Sequence, residues 1–258
     1  MMSSQSNRSC TRRHFIQGAA AVAGASVWAG VLPHAQAAEA APRRVLARDD
    51  VILFQGDSIT DAVRNRDKAG ANDFVALGRG YANMITAGLL GAHAPLRLQC
   101  YNRGISGNKV PDLQARWQVD TIDLKPAVLS VLIGVNDIWH KLDGRYAGTV
   151  ADYEQGFTEL LAQTRAALPE TWLVVCQPFV LRCGAINEKW FPEFDERRAA
   201  AKRVADAAGA TWVPFQTMFD EAITEATPPS YWAGDGVHPT IAGHALMAKT
   251  WLTVTGLG

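Results

Sequence analysis

Three side chains in this chain could together carry out acyl transfer: Ser58, Asp235 and His238. A serine hydroxyl is a weak nucleophile near neutral pH and needs a base to take its proton. A histidine supplies that base, and a carboxylate orients it and balances its charge. Asp235 and His238 stand three residues apart in Gly234-Asp235-Gly236-Val237-His238-Pro239. One short, glycine-flanked turn can therefore deliver both, with Pro239 restricting the backbone of His238. The attacked carbonyl would need donors for its oxyanion. The candidates are the Ser58 and Gly104 backbone N–H groups and the Asn136 side-chain amide, since glycine lets a backbone approach substrate closely.

A purely structural reading competes at each position. Asp57 or Ser58 could cap the helix that follows, because Ser58-Ile59-Thr60-Asp61 fits a capping box. Asp235 could be a turn former, His238 a satisfied loop histidine, and Asn136 a turn closer. Asp57 and Asp137 are read as braces of their loops, and His244 as a structural residue of the last helix. Trp139, His140, Phe179, Trp190 and Trp232 fall on segments read as loops at the same edge. They are candidates for touching substrate, as is Tyr231; aromatic rings there could stack on sugars or hold an acyl group. The competing reading is that they pack the loops down.

The elements that must position these residues follow from apolar runs. Val51-Ile52-Leu53-Phe54 is short and bounded by Gly56, as expected of a strand buried on both faces. Further strands are expected at 96–101, 127–133, 172–176 and 211–213, with 127–133 central. Residues 61–79 read as a long loop, and long loops in compact domains tend to be functional. Helices are expected at 80–92, from Pro111 to about Ile122, and at 150–167, 193–208 and 215–226. The last starts after Thr240, with Ile241, Ala245, Ala248 and Leu252 on one face. Residues 134–140 read as a loop carrying Trp139 and His140. Strand and helix alternate five times with no hairpin signal. That implies a parallel sheet with right-handed crossovers and helices on both faces. Candidate sites then lie beyond the carboxyl ends of the strands.

Length and composition agree with one α/β domain. The chain has 258 residues, 48% of them apolar, and 25 basic residues balance 25 acidic ones. No basic run follows residue 44, which argues against a nucleic-acid partner. Residues 1–37 read as a leader. Thr11-Arg12-Arg13-His14-Phe15-Ile16 resembles a twin-arginine export signal, an alanine-rich apolar stretch follows, and Ala35-Gln36-Ala37 fits a small-x-small cleavage site. The apolar stretch is short of the ~20 residues of a membrane span, although an uncleaved anchor is the alternative. Cleavage would remove Arg8, Arg12 and Arg13, leaving 22 basic against 25 acidic residues. The expected product is periplasmic or secreted, without stable membrane insertion. Residues 38–48 read as an extended arm and 49–258 as the single domain. Cys100, Cys176 and Cys183 remain. Cys176 and Cys183 could pair in an oxidising compartment, or all three could be buried thiols.

Four blocks, Gly56-Asp57-Ser58-Ile59, Gly104, Gly134-Val135-Asn136-Asp137 and Asp235-Gly236-Val237-His238, resemble the signature blocks of the SGNH (GDSL-type) hydrolases in order and spread. The first has isoleucine where that family has leucine. The resemblance covers residues 50–255 and implies a three-layer α/β/α, flavodoxin-like fold with a five-stranded parallel sheet. It further implies a serine nucleophile, the oxyanion roles given above, and no metal or other cofactor. Arg79-Gly80-Tyr81-Ala82-Asn83, 102–108 and 235–240 are similar to members regarded as carbohydrate or acetyl esterases. The expected substrate is therefore a short-chain ester on carbohydrate. A lipid-directed esterase or thioesterase, an O-acetyltransferase and a non-catalytic sugar-binding module are the alternatives. No glycine-x-serine-x-glycine elbow of the α/β-hydrolase kind is present.

Overall fold

A computed structural model of the protein describes residues 45–258. The leader read at 1–37 and the first part of the arm, 38–44, lie outside the described residues. Residues 45–48 carry no helix or strand, and Leu46 of this stretch is buried.

Five strands form one all-parallel sheet: β1 (Val51–Gly56), β2 (Gln99–Asn102), β3 (Val128–Leu132), β4 (Trp172–Cys176) and β5 (Thr211–Val213). Their order across the sheet is β2-β1-β3-β4-β5. β1 runs beside β3 with Leu53 opposite Leu129 and Gly56 opposite Leu132. The strands are apolar at successive positions because both faces are covered. Ile52, Phe54, Val128 and Val174 face one core, while Leu53, Leu129 and Leu173 face the other. The first face is closed by α2 (Tyr81–Ala92), α7 (Phe215–Ala222) and α9 (Ile241–Thr255). The second is closed by α3 (Val110–Trp117), α5 (Val150–Ala167) and α6 (Glu193–Ala207). The three-layer, flavodoxin-like architecture expected from the sequence is the one observed, and its chain reversal falls between β1 and β3. Ligands of such sheets bind where the strand order reverses, outside the carboxyl ends.

Several segments differ from the sequence reading. β2 starts at Gln99 because Ala94–Leu96, with Pro95 at its start, forms a 3₁₀ turn. The helix read to Ile122 is α-helical only to Trp117 and widens into a π turn over Gln118–Ile122. Residues 135–142, read as a loop, form α4 (Val135–Leu142), so Trp139 and His140 ride on a helix. α7 ends at Ala222, well before Ala226. Tyr231 and Trp232 belong to a short helix, α8 (Pro229–Trp232). In α9 the buried face is Gly243, His244, Met247, Ala248 and Trp251, whereas Ile241 is 80% exposed.

Cys100, Cys176 and Cys183 are all free thiols. Cys176 lies inside the sheet, and Cys183 Sγ donates to the Ala233 carbonyl at 3.2 Å. Among the described residues no helix is long and apolar enough to cross a membrane.

Candidate active site

Ser58 is delivered by a turn that only small residues can make. A Cβ on Gly56 would stand 2.3 Å from the Leu132 carbonyl oxygen, so β1 can end beside β3 only with glycine there. The chain then enters α1 (Ser58–Asp61), whose cap is Asp57, with Oδ1 accepting from Ile59 N–H at 3.0 Å. Of the two capping candidates Asp57 is the cap, which leaves the Ser58 hydroxyl free for other work.

The turn carrying Asp235 and His238 is tied to the loop after β4. Leu181 N–H donates to the Gly236 carbonyl at 2.8 Å, and Ala185 N–H to that of Asp235 at 2.9 Å. Gly236 has φ +84°, and a Cβ there would meet the Cys183 and Leu181 carbonyl oxygens at 2.5 and 2.6 Å. The two loops therefore pack backbone on backbone. Asp235 Oδ1 accepts from Val237 N–H (2.9 Å) and His238 N–H (2.7 Å), which holds the turn closed.

This arrangement brings Ser58, Asp235 and His238 together. Ser58 Oγ lies 2.8 Å from His238 Nε2, and His238 Nδ1 lies 2.6 Å from Asp235 Oδ2. Burial alone would raise the Asp235 carboxyl. The hydrogen bonds from the His238 ring and from the His238 and Val237 N–H groups outweigh it, so its pKa is lowered and it is ionised. An ionised Asp235 has no proton to share, so Nδ1 carries the hydrogen. A neutral ring then presents Nε2 as an acceptor to the Ser58 hydroxyl, the polarity that general-base activation requires.

The other predicted residues divide. Asn136 opens α4 beside Ser58's strand and is 6% exposed; its Nδ2 donates to the Asn108 carbonyl at 3.1 Å. Gly104 is not positioned as expected. Its N–H is buried and donates to Asn102 Oδ1 at 2.9 Å, and a Cβ there would sit 2.4 Å from Asp61 N. Gly104 is a packing glycine whose donor is already used. Gly107, three residues on, is the position the sequence reading missed. It lies at the tip of the same loop with φ +83°, beside the Asn108 carbonyl that Asn136 contacts, and a Cβ there would come 3.8 Å from His140 Cε1. Neither Ser58 N–H nor Gly107 N–H meets an acceptor among the described residues. The signal was present in Asn102-Arg103-Gly104, where an asparagine side chain can fold onto the N–H two residues later.

Among the aromatic candidates, Trp139 is half-buried with its ring centroid 6.1 Å from that of His238. Trp190 is 2% exposed and packs edge-on beneath Trp139 at 5.6 Å, so it supports that ring and offers no surface of its own. Phe179 is fully buried against Phe215 and Phe219, and is a core residue. Trp232 packs on Tyr231 and Phe219 and commits its indole N–H to the Ala222 carbonyl. His140 is half-buried; burial, with Arg145 and Lys109 nearby, lowers its pKa and keeps the ring neutral. His244 is buried in α9, its Nδ1 accepting from Tyr81 N–H, and burial pushes it down to about 4.

Two carboxylates of the signature blocks lie beneath the site. Asp57 and Asp137 are fully buried, each with one oxygen lacking a partner among the described residues. Asp137 Oδ1 accepts from Val110 N–H at 3.2 Å and so ties α4 to α3. Burial pushes Asp57 up to about 7 and Asp137 up to about 6.

A cavity of about 450 Å³ opens beside Ser58 and His238. A hydroxyl hydrogen-bonded to an imidazole, an ionised carboxylate behind it, two N–H groups without an acceptor among the described residues and an amide are the parts that ester cleavage needs.

Comparison with known proteins agrees with this chemistry. The model of the GDSL-like lipase/acylhydrolase family matches residues 54–246. An acetylxylan esterase of Geobacillus stearothermophilus is 32% identical over 209 residues, 80% of this chain and 93% of that protein. A crystal structure of that organism's acetylxylan esterase Axe2 superposes with a TM-score of 0.72, covering 82% of this chain and 96% of that one at 32% identity. A GDSL-like protein from Parabacteroides merdae is 47% identical with a TM-score of 0.81, covering 84% of this chain and all of that one. Blocks, fold and similarity converge: the chain belongs to the GDSL-like lipase/acylhydrolase family and is a carboxylic ester hydrolase.

Proposed function

We propose that the protein removes acetyl groups from carbohydrate through an acyl-enzyme on Ser58. In this reading His238 Nε2 takes the Ser58 proton as Oγ attacks the acetyl carbonyl. Ser58 N–H, Gly107 N–H and the Asn136 amide hold the oxyanion. The tetrahedral species collapses as His238 returns the proton to the departing sugar hydroxyl. Water, deprotonated by the same ring, then releases acetate and restores Ser58. Asp235 stays ionised throughout and balances the imidazolium.

The observation that carries the mechanism is the continuous 2.8 Å and 2.6 Å path from Ser58 Oγ through the His238 ring to Asp235. Support for acetylated sugar as substrate comes from the similarity to an acetylxylan esterase. Trp139, half-buried and packed on Trp190, would offer a sugar a ring to stack on. The twin-arginine-like leader supports export, which fractionation of the expressing cell would test.

Hydrolysis of p-nitrophenyl acetate, butyrate and octanoate by wild type and Ser58→Ala tests this reading. Turnover of acetate, falling with chain length and absent in the variant, is expected, together with release of acetate from acetylated xylan. Equal rates in wild type and variant would refute the nucleophile. Preference for octanoate would refute the acetyl assignment.

A further inference from the structure

The cavity beside Ser58 has two features that the ester chemistry leaves unused. Half of its lining residues are aliphatic, with Val63 78% exposed and Ile241 80% exposed. It is also lined by Arg79, whose guanidinium meets no hydrogen-bond or ionic partner among the described residues. The neighbouring Arg64, Arg66 and Arg116 are occupied. Arg64 donates to the Gly104 carbonyl, Arg66 pairs with Asp61, and Arg116 binds Asn108, Arg103 O and Asp120. Asp61 accepts from Ser106 as well as pairing with Arg66, so it is not a counter-ion held in reserve for Arg79.

The backbone holds Arg79 at this spot. Its N–H donates to the Ala62 carbonyl at 2.8 Å. A Cβ on Gly78 would lie 2.5 Å from the Asp61 carbonyl oxygen, and one on Gly80 would lie 2.6 Å from Ala62 Cβ. Residues 78–80 are thus pressed against the end of the helix that begins at Ser58. On the other side of that contact, Ala62 and Val63 both take left-handed backbone, with φ 43° and 61°. A β-branched residue is a genuine outlier there, and such strain concentrates at ligand-binding positions. Here its effect is to place Val63 on the cavity rim.

An exposed aliphatic pair beside an unpaired guanidinium fits a ligand with one apolar face and one anionic group. A pyranose ring presents C–H bonds on its face, and a uronic acid adds a carboxylate that arginine grips with two parallel hydrogen bonds. The cavity, about 450 Å³, falls within the usual range for small-molecule sites. We infer that Arg79 is a specificity-determining residue that binds the carboxylate of an acidic sugar neighbouring the acetylated one, with the ring resting on Val63 and Ile241. This rests on the reading of Ser58 and His238 as the reacting groups, because it places the acidic sugar next to the ester.

Isothermal titration of the wild-type protein with xylotriose and with xylotriose bearing one glucuronic acid tests it without any turnover. The acidic ligand is expected to bind about tenfold more tightly at low salt, the size of one charge-assisted contact. The preference should shrink with added salt. Arg79→Gln should abolish it, and Arg79→Lys should keep part of it. Equal affinities in the wild type, or a preference that survives Arg79→Gln, would overturn the assignment. So would tighter binding of a lysophospholipid headgroup than of the acidic sugar. Wild-type turnover of p-nitrophenyl acetate reports separately on the catalytic reading, so failure of one proposal is distinguishable from failure of the other.

Discussion

Replacing Asp57 by asparagine should make the protein's stability much less sensitive to pH. Asp57 is fully buried beside the nucleophile, with one oxygen bound to Ile59 N–H and the other unpartnered among the described residues. Burial pushes its carboxyl from 3.8 to about 7, against the pull of the Ile59 bond and with Asp137's like charge adding to the rise. The unfolded chain therefore loses this proton near pH 4, whereas the folded protein keeps it to about pH 7. Stability from the neutral carboxyl is complete below the unfolded value and is lost as pH rises through the folded one. Each pH unit in that window costs about 1.4 kcal/mol, so the whole window is worth about 4 kcal/mol. Asparagine copies the shape of the neutral carboxyl, can still accept from Ile59 through Oδ1, and does not titrate. Any fixed cost of burying its amide is the same at every pH. Urea unfolding of wild type and Asp57→Asn at a series of values between about pH 4 and pH 8 gives the test. The free-energy difference should tilt toward the variant by about 4 kcal/mol across that range. Parallel curves would refute the reasoning, since they would mean that Asp57 is already ionised in the folded protein.

The two glycines of the 102–108 loop should separate cleanly. Gly104→Ala pushes a Cβ to 2.4 Å from Asp61 N, so its melting temperature should fall by several degrees. Gly107→Ala meets nothing closer than 3.8 Å, but at φ +83° a residue with a Cβ is strained; relief of that strain turns its N–H away and should lower kcat by about ten- to a hundredfold. Asn136→Ala should cost about 10²–10³ in kcat with little change in melting temperature; an unchanged kcat would remove Asn136 from the oxyanion site. Phe179→Ala should destabilise the fold by about 3–5 kcal/mol in urea unfolding, with KM unaltered in the protein that remains folded. A KM change without destabilisation would return Phe179 to the cleft.

Much of the fold was legible because doubly covered parallel strands announce themselves as apolar runs. Val128–Leu132 and Trp172–Cys176 are buried at every position, and both were readable for that reason. Elements that rest on tertiary support were not. Val135–Leu142 carries Asn136 and Asp137 in its first turn, which look like loop residues; it is helical because Asp137 anchors it to Val110 and Ile138 is buried in the core. The apolar Ile241 misled the reading of α9. It was assigned inward by its chemistry, yet it stands at a cavity rim, and the buried stripe runs through His244 and Trp251.

Within the site, the boundary between legible and hidden follows whether a residue's role depends on its own type or on what its neighbours have already taken. Ser58, Asp235 and His238 could be picked out because serine, carboxylate and imidazole combine in few useful ways, and because the acid and the base share one short turn before the last helix. Gly104 and Gly107 are chemically identical, and only the Asn102 side chain, folded onto one of them, decides which N–H stays free. Arg79 obeys the same rule in reverse. Beside Arg64, Arg66 and Arg116 it is set apart by the partner it lacks among the described residues, and that is a property of the folded loop rather than of the residue. Which donors and charges stay free at a cleft is therefore decided by the hydrogen bonds of their neighbours. In this loop cluster, what the neighbours leave over is the Gly107 N–H, since Asn102 takes that of Gly104, and the Arg79 guanidinium.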